Sequence, residues 1–117
     1  MSTLTIAGTI SFPLAGEASP PSTPFSTQLI YNERNIDDVV LVGAQADVDL
    51  MGLMTDAKAC FIEGVSGTGA FKINGATPTL DISSSGGFWI WLNPNGGLTS
   101  LTVTTTTNAS FRIYMFA

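Results

Sequence analysis

Apolar and polar residues alternate along much of this chain in short stretches. In residues 3–12, TLTIAGTISF, the apolar residues Leu4, Ile6, Ile10 and Phe12 all fall on one parity. Successive side chains of a strand point to opposite faces, so a period of two predicts a strand with one apolar face. The same reading predicts strands over 25–32, 37–43, 46–54, 58–64, 70–75, 77–83, 87–93, 98–106 and 109–117. The segment 46–54 alternates at Val48 and Leu50, but it runs into GLMTDAKA, which also admits a short helical turn. Turn residues separate these stretches at near-regular intervals, the pattern of an all-β sandwich or barrel. The expectation is an all-β, single-domain antiparallel β-sandwich, jelly-roll-like, with an extended Pro-rich N-terminal arm.

The turns sharpen this picture. Asn74-Gly75 is a strong hairpin dipeptide, because both residues tolerate positive φ. Pro94-Asn95-Gly96-Gly97 predicts a hairpin joining 87–93 to 98–106. GVSGTGAFK, residues 64–72, lacks the order of a phosphate-binding loop and reads as a hairpin loop.

Two strands are apolar on both faces. In GFWIWLN, Phe88, Ile90 and Leu92 share one face, and Trp89 and Trp91 the other. In FRIYMFA, Phe111, Ile113 and Met115 oppose Arg112, Tyr114 and Phe116. One face of each fills a core; the expected core set on the first strand is Phe88, Ile90 and Leu92. The second face, Trp89 and Trp91 with Arg112, Tyr114 and Phe116, is rich in the residue types enriched at protein interfaces. Two other readings exist for it: cover by the protein's own loops, or a tryptophan platform for stacking sugars.

Residues 13–24, PLAGEASPPSTP, cannot form a helix interior or a central strand. They read as a surface loop or as an extended arm lying on a neighbouring subunit, with Pro20, Pro21, Pro24 and Phe25 as contact residues. The expected division is therefore a first strand and arm over 1–24 and a sandwich body over 25–117.

Composition narrows the function. Charged residues make up 11% of the chain, against about 25% in an average soluble domain, so little of the surface is defended by charge. The net charge is −5, and the four basic residues, Arg34, Lys58, Lys72 and Arg112, are scattered. A nucleic-acid groove needs them clustered, so no nucleic-acid partner is expected. No apolar run approaches the ~20 residues of a membrane-spanning helix, and no membrane partner is expected. The first residues lack a basic start with a long apolar run, so the product is expected to be made and assembled in a cytosol. Asn108 fits a glycosylation sequon that is expected to go unused in that setting.

Catalytic chemistry finds no footing. The chain has no histidine, and its single cysteine, Cys60, sits in the apolar strand KACFIEG, where a buried, reduced core thiol is expected. Asp47 and Asp49 share a strand parity, and Asp37, Asp38 and Asp56 could lie near, but no calcium-loop order is present. No G-x-S-x-G occurs. The chain is expected to be non-enzymatic, with no cofactor and no metal.

A resemblance adds to this. Phe71-Lys72-Ile73-Asn74-Gly75, then Gly97-Leu98-Thr99-Ser100-Leu101-Thr102-Val103, then Phe111-Arg112-Ile113-Tyr114 occur in this order within 57–117. That succession resembles the small all-β structural proteins of tailed bacteriophage virions. The resemblance covers about half of the chain and leaves the first strand and the Pro-rich segment unexplained. It implies a virion protein assembled in the host cytoplasm, such as a capsid decoration or cement protein, the first expectation here, and does not itself choose among virion roles. Its partners would be copies of itself, as a homo-oligomer, and major capsid or other virion proteins. A carbohydrate- or receptor-binding tail or fibre module is the alternative it implies.

Overall fold

The computed structural model describes every residue except Pro20, Pro78 and Ser85. The described residues form ten strands and no helix: β1 Ser2–Ser11, β2 Ser22–Tyr31, β3 Arg34–Leu41, β4 Gln45–Asp49, β5 Ala59–Ser66, β6 Thr68–Ile73, β7 Leu80–Ser83, β8 Phe88–Leu92, β9 Leu101–Thr105 and β10 Ala109–Phe116. All pairings are antiparallel. The all-β expectation is therefore met. The chain divides into two compact units, Met1–Tyr31 and Asn32–Ala117.

The first unit is a long hairpin, β1 with β2, in unbroken register from Ser2 opposite Tyr31 to Ser11 opposite Ser22. Leu4, Ile6 and Ile10 share a face with Leu29 and Phe25, while Thr3, Thr5, Thr9, Ser26 and Gln28 share the other. Phe25 stands opposite Gly8 and its ring covers the glycine: a Cβ at Gly8 would meet the ring at 2.9 Å. This hairpin changes the reading of the N-terminal region. Residues 22–24 belong to β2. Residues 25–31 pair with β1 and so belong with the first unit, not with the sandwich body. Pro24 is compatible with pairing because it faces Thr9 at a position between hydrogen-bonded pairs, as the bond from Phe12 N–H to the Pro21 carbonyl phases the ladder. Pro20 lies outside the described residues.

The second unit holds two four-stranded sheets, in the order β3-β10-β5-β8 and β4-β9-β6-β7. Their inner faces share one core. Cys60, Ile62, Phe111, Ile113 and Met115 come from the first sheet, and Phe71, Ile82, Leu101 and Val103 from the second. Phe71 and Phe111 meet edge to face across the sheets at 5.0 Å between ring centroids, a favourable aromatic geometry. Leu50, Met51, Met54 and Leu98 extend this core from the connections. The sandwich thus forms from period-two strands that each bury one parity.

The connections correct three expectations. The strands β8 and β9 do not form a hairpin. They lie in different sheets, β8 beside β5 and β9 between β4 and β6. β5 and β6 likewise turn a corner between sheets. Gly67 makes that corner at φ +65°, where an added Cβ would run into the Asn108 carbonyl. The GLMTDAKA segment is a loop with one turn, Met54 N–H to the Met51 carbonyl, and not a helical turn. The β6–β7 connection through Asn74-Gly75 is the hairpin that the dipeptide predicts, with Phe71 opposite Leu80.

Candidate docking face

The registers of the β3-β10-β5-β8 sheet run its outward side chains in rows. One row is Ile36, Tyr114, Phe61 and Ile90; the next is Arg34, Phe116, Ala59 and Leu92. A third is Asp38, Arg112, Glu63 and Phe88. Phe61 contacts Tyr114 and Phe116 edge to face, at 6.3 and 5.8 Å between centroids. At the centre of the sheet Phe61 and Tyr114 are half-buried, and Phe116 and Ala59 are buried. At its margins Ile36, Ile90 and Phe88 remain 52%, 41% and 59% exposed, respectively. Apolar side chains therefore cross all four strands on the outside of the body.

The opposite sheet shows what an ordinary solvent face looks like in the same protein. Its outward rows are Asp49, Thr102 and Lys72, and Thr104, Ala70 and Asp81. Lys72 lies 3.4 Å from Asp47, and the Asp47 N–H donates to Thr104 Oγ1. That face is polar, charged and internally bonded. The two outer faces differ because β9 contributes threonines where β10 contributes Tyr114 and Phe116.

Charge on this face sits in the row Asp38, Arg112, Glu63 and at Arg34 on the β3 edge. Arg112 Nε donates to Asp38 Oδ1 at 2.8 Å. That bond, followed by Tyr114, pushes the guanidinium pKa further up from its ordinary value. Arg112 thus stays charged at any working pH.

The tryptophans take the other side. β8 keeps the expected alternation with its faces exchanged: Trp89 and Trp91 are half-buried against the core, and Phe88 and Ile90 point outward. Register explains the exchange. Trp89 stands opposite Ile62 and Trp91 opposite Cys60, and Ile62 and Cys60 are inward residues of β5. At the end of the sheet the indoles extend the inner rows, and a half-buried site suits a large ring whose N–H seeks water or a partner. Of the expected contact residues, Arg112, Tyr114 and Phe116 therefore share one face. Trp89 and Trp91 lie behind it, and Pro21, Pro24 and Phe25 belong to the hairpin unit. Sequence reasoning missed Ile36 and Phe61 on the outer face. Both alternate with residues on the opposite face, which was a usable signal.

Cys60 is fully buried, and burial pushes its thiol up to about 12. Asp47 and Asp49 serve separate roles, since Asp49 Oδ1 accepts from Met51 N–H while Asp47 faces Lys72. Asp56 accepts from Gly97 N–H. Among the described residues no three His, Cys, Asp or Glu come together as a metal cluster. Asn74, at φ 53°, is a clamp that sequence reasoning saw only as a turn residue. Its Oδ1 accepts from the N–H groups of Thr99 and Ser100, and its Nδ2 donates to the Gly97 carbonyl. No family model, curated protein or solved structure matches this chain.

Proposed function

We propose that this chain is a non-enzymatic structural subunit of a bacteriophage virion that acts by protein–protein contact, as a capsid decoration or cement protein. The observation that carries the reading is the contrast between the two outer faces of the body. A continuous apolar face rimmed by polar groups marks an interaction surface, whereas scattered single apolar residues do not. The order β3-β10-β5-β8 over β4-β9-β6-β7, with nearly every connection crossing between sheets, is the strand order we read as a jelly roll. Jelly rolls serve viral capsids and lectins alike, so the face, and not the fold, selects between them. A sugar platform would need the indoles on an open surface, and Trp89 and Trp91 pack inward.

The amphipathic hairpin supports the same reading. Between Met1 and Tyr31 the only charged side chain is Glu17, and Ile10, Phe12 and Phe25 are exposed. An isolated two-stranded hairpin is marginal in water, and contact with a neighbour in an assembly would stabilise it. The test is mass spectrometry of density-gradient-purified particles from the producing culture. We expect the chain at a fixed ratio to the major shell protein. Recovery of the chain only in the soluble fraction, with none in particles, refutes the reading.

A further inference from the structure

The four edge strands of the body are guarded unequally. β3 carries Arg34, Asp37 and Asp38. β4 carries Asp47 and Asp49 and a register irregularity between Gln45 and Val48. β7 is four residues long and carries Asp81. Charge, irregularity and brevity are the devices that stop a free strand edge from pairing with another chain. β8 has no charge and no proline, and its ladder with β5 runs without irregularity.

The free edge of β8 can be phased from its ends. Gly64 N–H donates to the Gly87 carbonyl, and Asn93 N–H donates to the Lys58 carbonyl. In an antiparallel ladder the bonded positions alternate, so 87, 89, 91 and 93 aim their backbone groups at β5. Phe88, Ile90 and Leu92 aim theirs away from the sheet, at the terminal position of the order β3-β10-β5-β8.

We infer that β8 is a dimerisation edge, on which two copies of this chain pair antiparallel about a two-fold axis at Ile90. This rests on the protein-contact reading and names the partner. The sequence FWIWL is matched to its own reversal. Ile90 meets Ile90 of the second copy, Phe88 meets Leu92, and Trp89 meets Trp91. Every pair is apolar or aromatic, the kind that favours cross-strand contact, and no charge meets its like. The same operation on β3 centred at Asp38 would set the Asp38 carboxylates of both copies face to face. The paired edge joins the two sheets into one. The row Ile36, Tyr114, Phe61, Ile90 then continues into the same residues of the second copy in reverse. The Trp89–Trp91 pairs fall at non-hydrogen-bonded sites, where side chains approach closest, and close the half-open ends of both cores. A closed two-fold contact of this kind is the commonest route to a homo-oligomer.

The experiment is sedimentation equilibrium of the full chain, with two edge variants and two cysteine variants. The native chain should sediment as a dimer. Ile90→Pro removes an outward N–H without touching a bond to β5, and Ile90→Lys sets two charges face to face. Each should weaken the dimer about tenfold or more while near-ultraviolet dichroism of the tryptophans persists. Ile90→Cys should give an intermolecular disulfide on mild oxidation, and Ile36→Cys, on the opposite edge, should not. The crosslinking arm decides the matter if an edge variant fails to fold. A native chain that stays monomeric, a dimer indifferent to Ile90→Lys, or crosslinking through Ile36→Cys instead overturns the inference. A chain that dimerises this way but is absent from particles sinks the virion reading alone. A chain present in particles but never dimeric sinks the edge alone.

Discussion

Cys60 and Asn74 show how single residues hold this body. Cys60 faces inward on β5 opposite Trp91. Its thiol is raised from 9.0 to about 12 by loss of water. The unfolded chain therefore loses this proton first as pH rises. The contribution to stability is whole below pH 9.0 and erodes between 9.0 and about 12. We expect chemical-denaturation midpoints to fall over that range in the native chain and to fall less in Cys60→Ala; equal slopes would contradict this. Thiol reagents at neutral pH should label Cys60 only as the fold opens. That burial was legible in the sequence, because an apolar strand surrounds the residue. The work of Asn74 was not, because its partners Gly97, Thr99 and Ser100 lie more than twenty residues downstream. Asn74→Ala should cost about 1–3 kcal/mol, read as a lower Tm, since it removes several bonds and leaves a non-glycine residue at positive φ. Asn74→Gly, which relieves only the φ, should recover a minor part of that loss.

At the scale of elements, β8 is the instructive strand. The parity of its residues was readable from alternation, but which parity faced inward was not. Both faces are apolar, so burial alone does not assign them. The assignment follows from pairing with β5, whose inward residues are the small and medium side chains of Cys60 and Ile62. The consequence is testable by thermal melts of the full chain. Trp89→Ala and Trp91→Ala should destabilise the body by about 2–4 kcal/mol each, the range for a large side chain lost from a core, lowered for partial burial. Below the concentration at which the chain dimerises, Phe88→Ala and Ile90→Ala should each cost under about 1 kcal/mol. If the outward pair proves the more costly, the face assignment is wrong. The β8–β9 connection teaches the same lesson about turns. Pro94-Asn95-Gly96-Gly97 does reverse the chain, but Asp56 and Asn74 tie Gly97 into a corner between sheets. A turn sequence specifies a reversal; the partner strand is chosen by contacts elsewhere.

At the scale of the whole molecule, the chain divides into a hairpin and a sandwich with a core of its own. The core belongs to Asn32–Ala117, and both sheets contribute to it. The fragment 32–117 should therefore melt cooperatively by itself, whereas the fragment 1–31 should show no cooperative transition. A non-cooperative melt of 32–117 would show that the first unit is part of the fold. Replacing residues 1–31 should leave that melt intact and reduce incorporation into particles, if the hairpin acts through a neighbour. Unchanged incorporation would remove the hairpin from the docking surface. The Pro-rich segment was legible as a non-helical connection. The pairing of β1 with β2 was not, since residues 3–12 and 25–32 carry no mark that they pair with each other.

What the sequence determined by itself is local. Alternation set where strands form, and Asn74-Gly75 set the β6–β7 hairpin. What only the tertiary structure decided is non-local. It chose the strand partners, turned Trp89 and Trp91 toward the core, and gathered Ile36, Phe61, Tyr114, Phe116 and Ile90 on one outer face from four separate strands. The physical reason is that a strand's period fixes two faces without ranking them. Only the register against a neighbour, which backbone hydrogen bonding and core packing select together, decides which face loses its water.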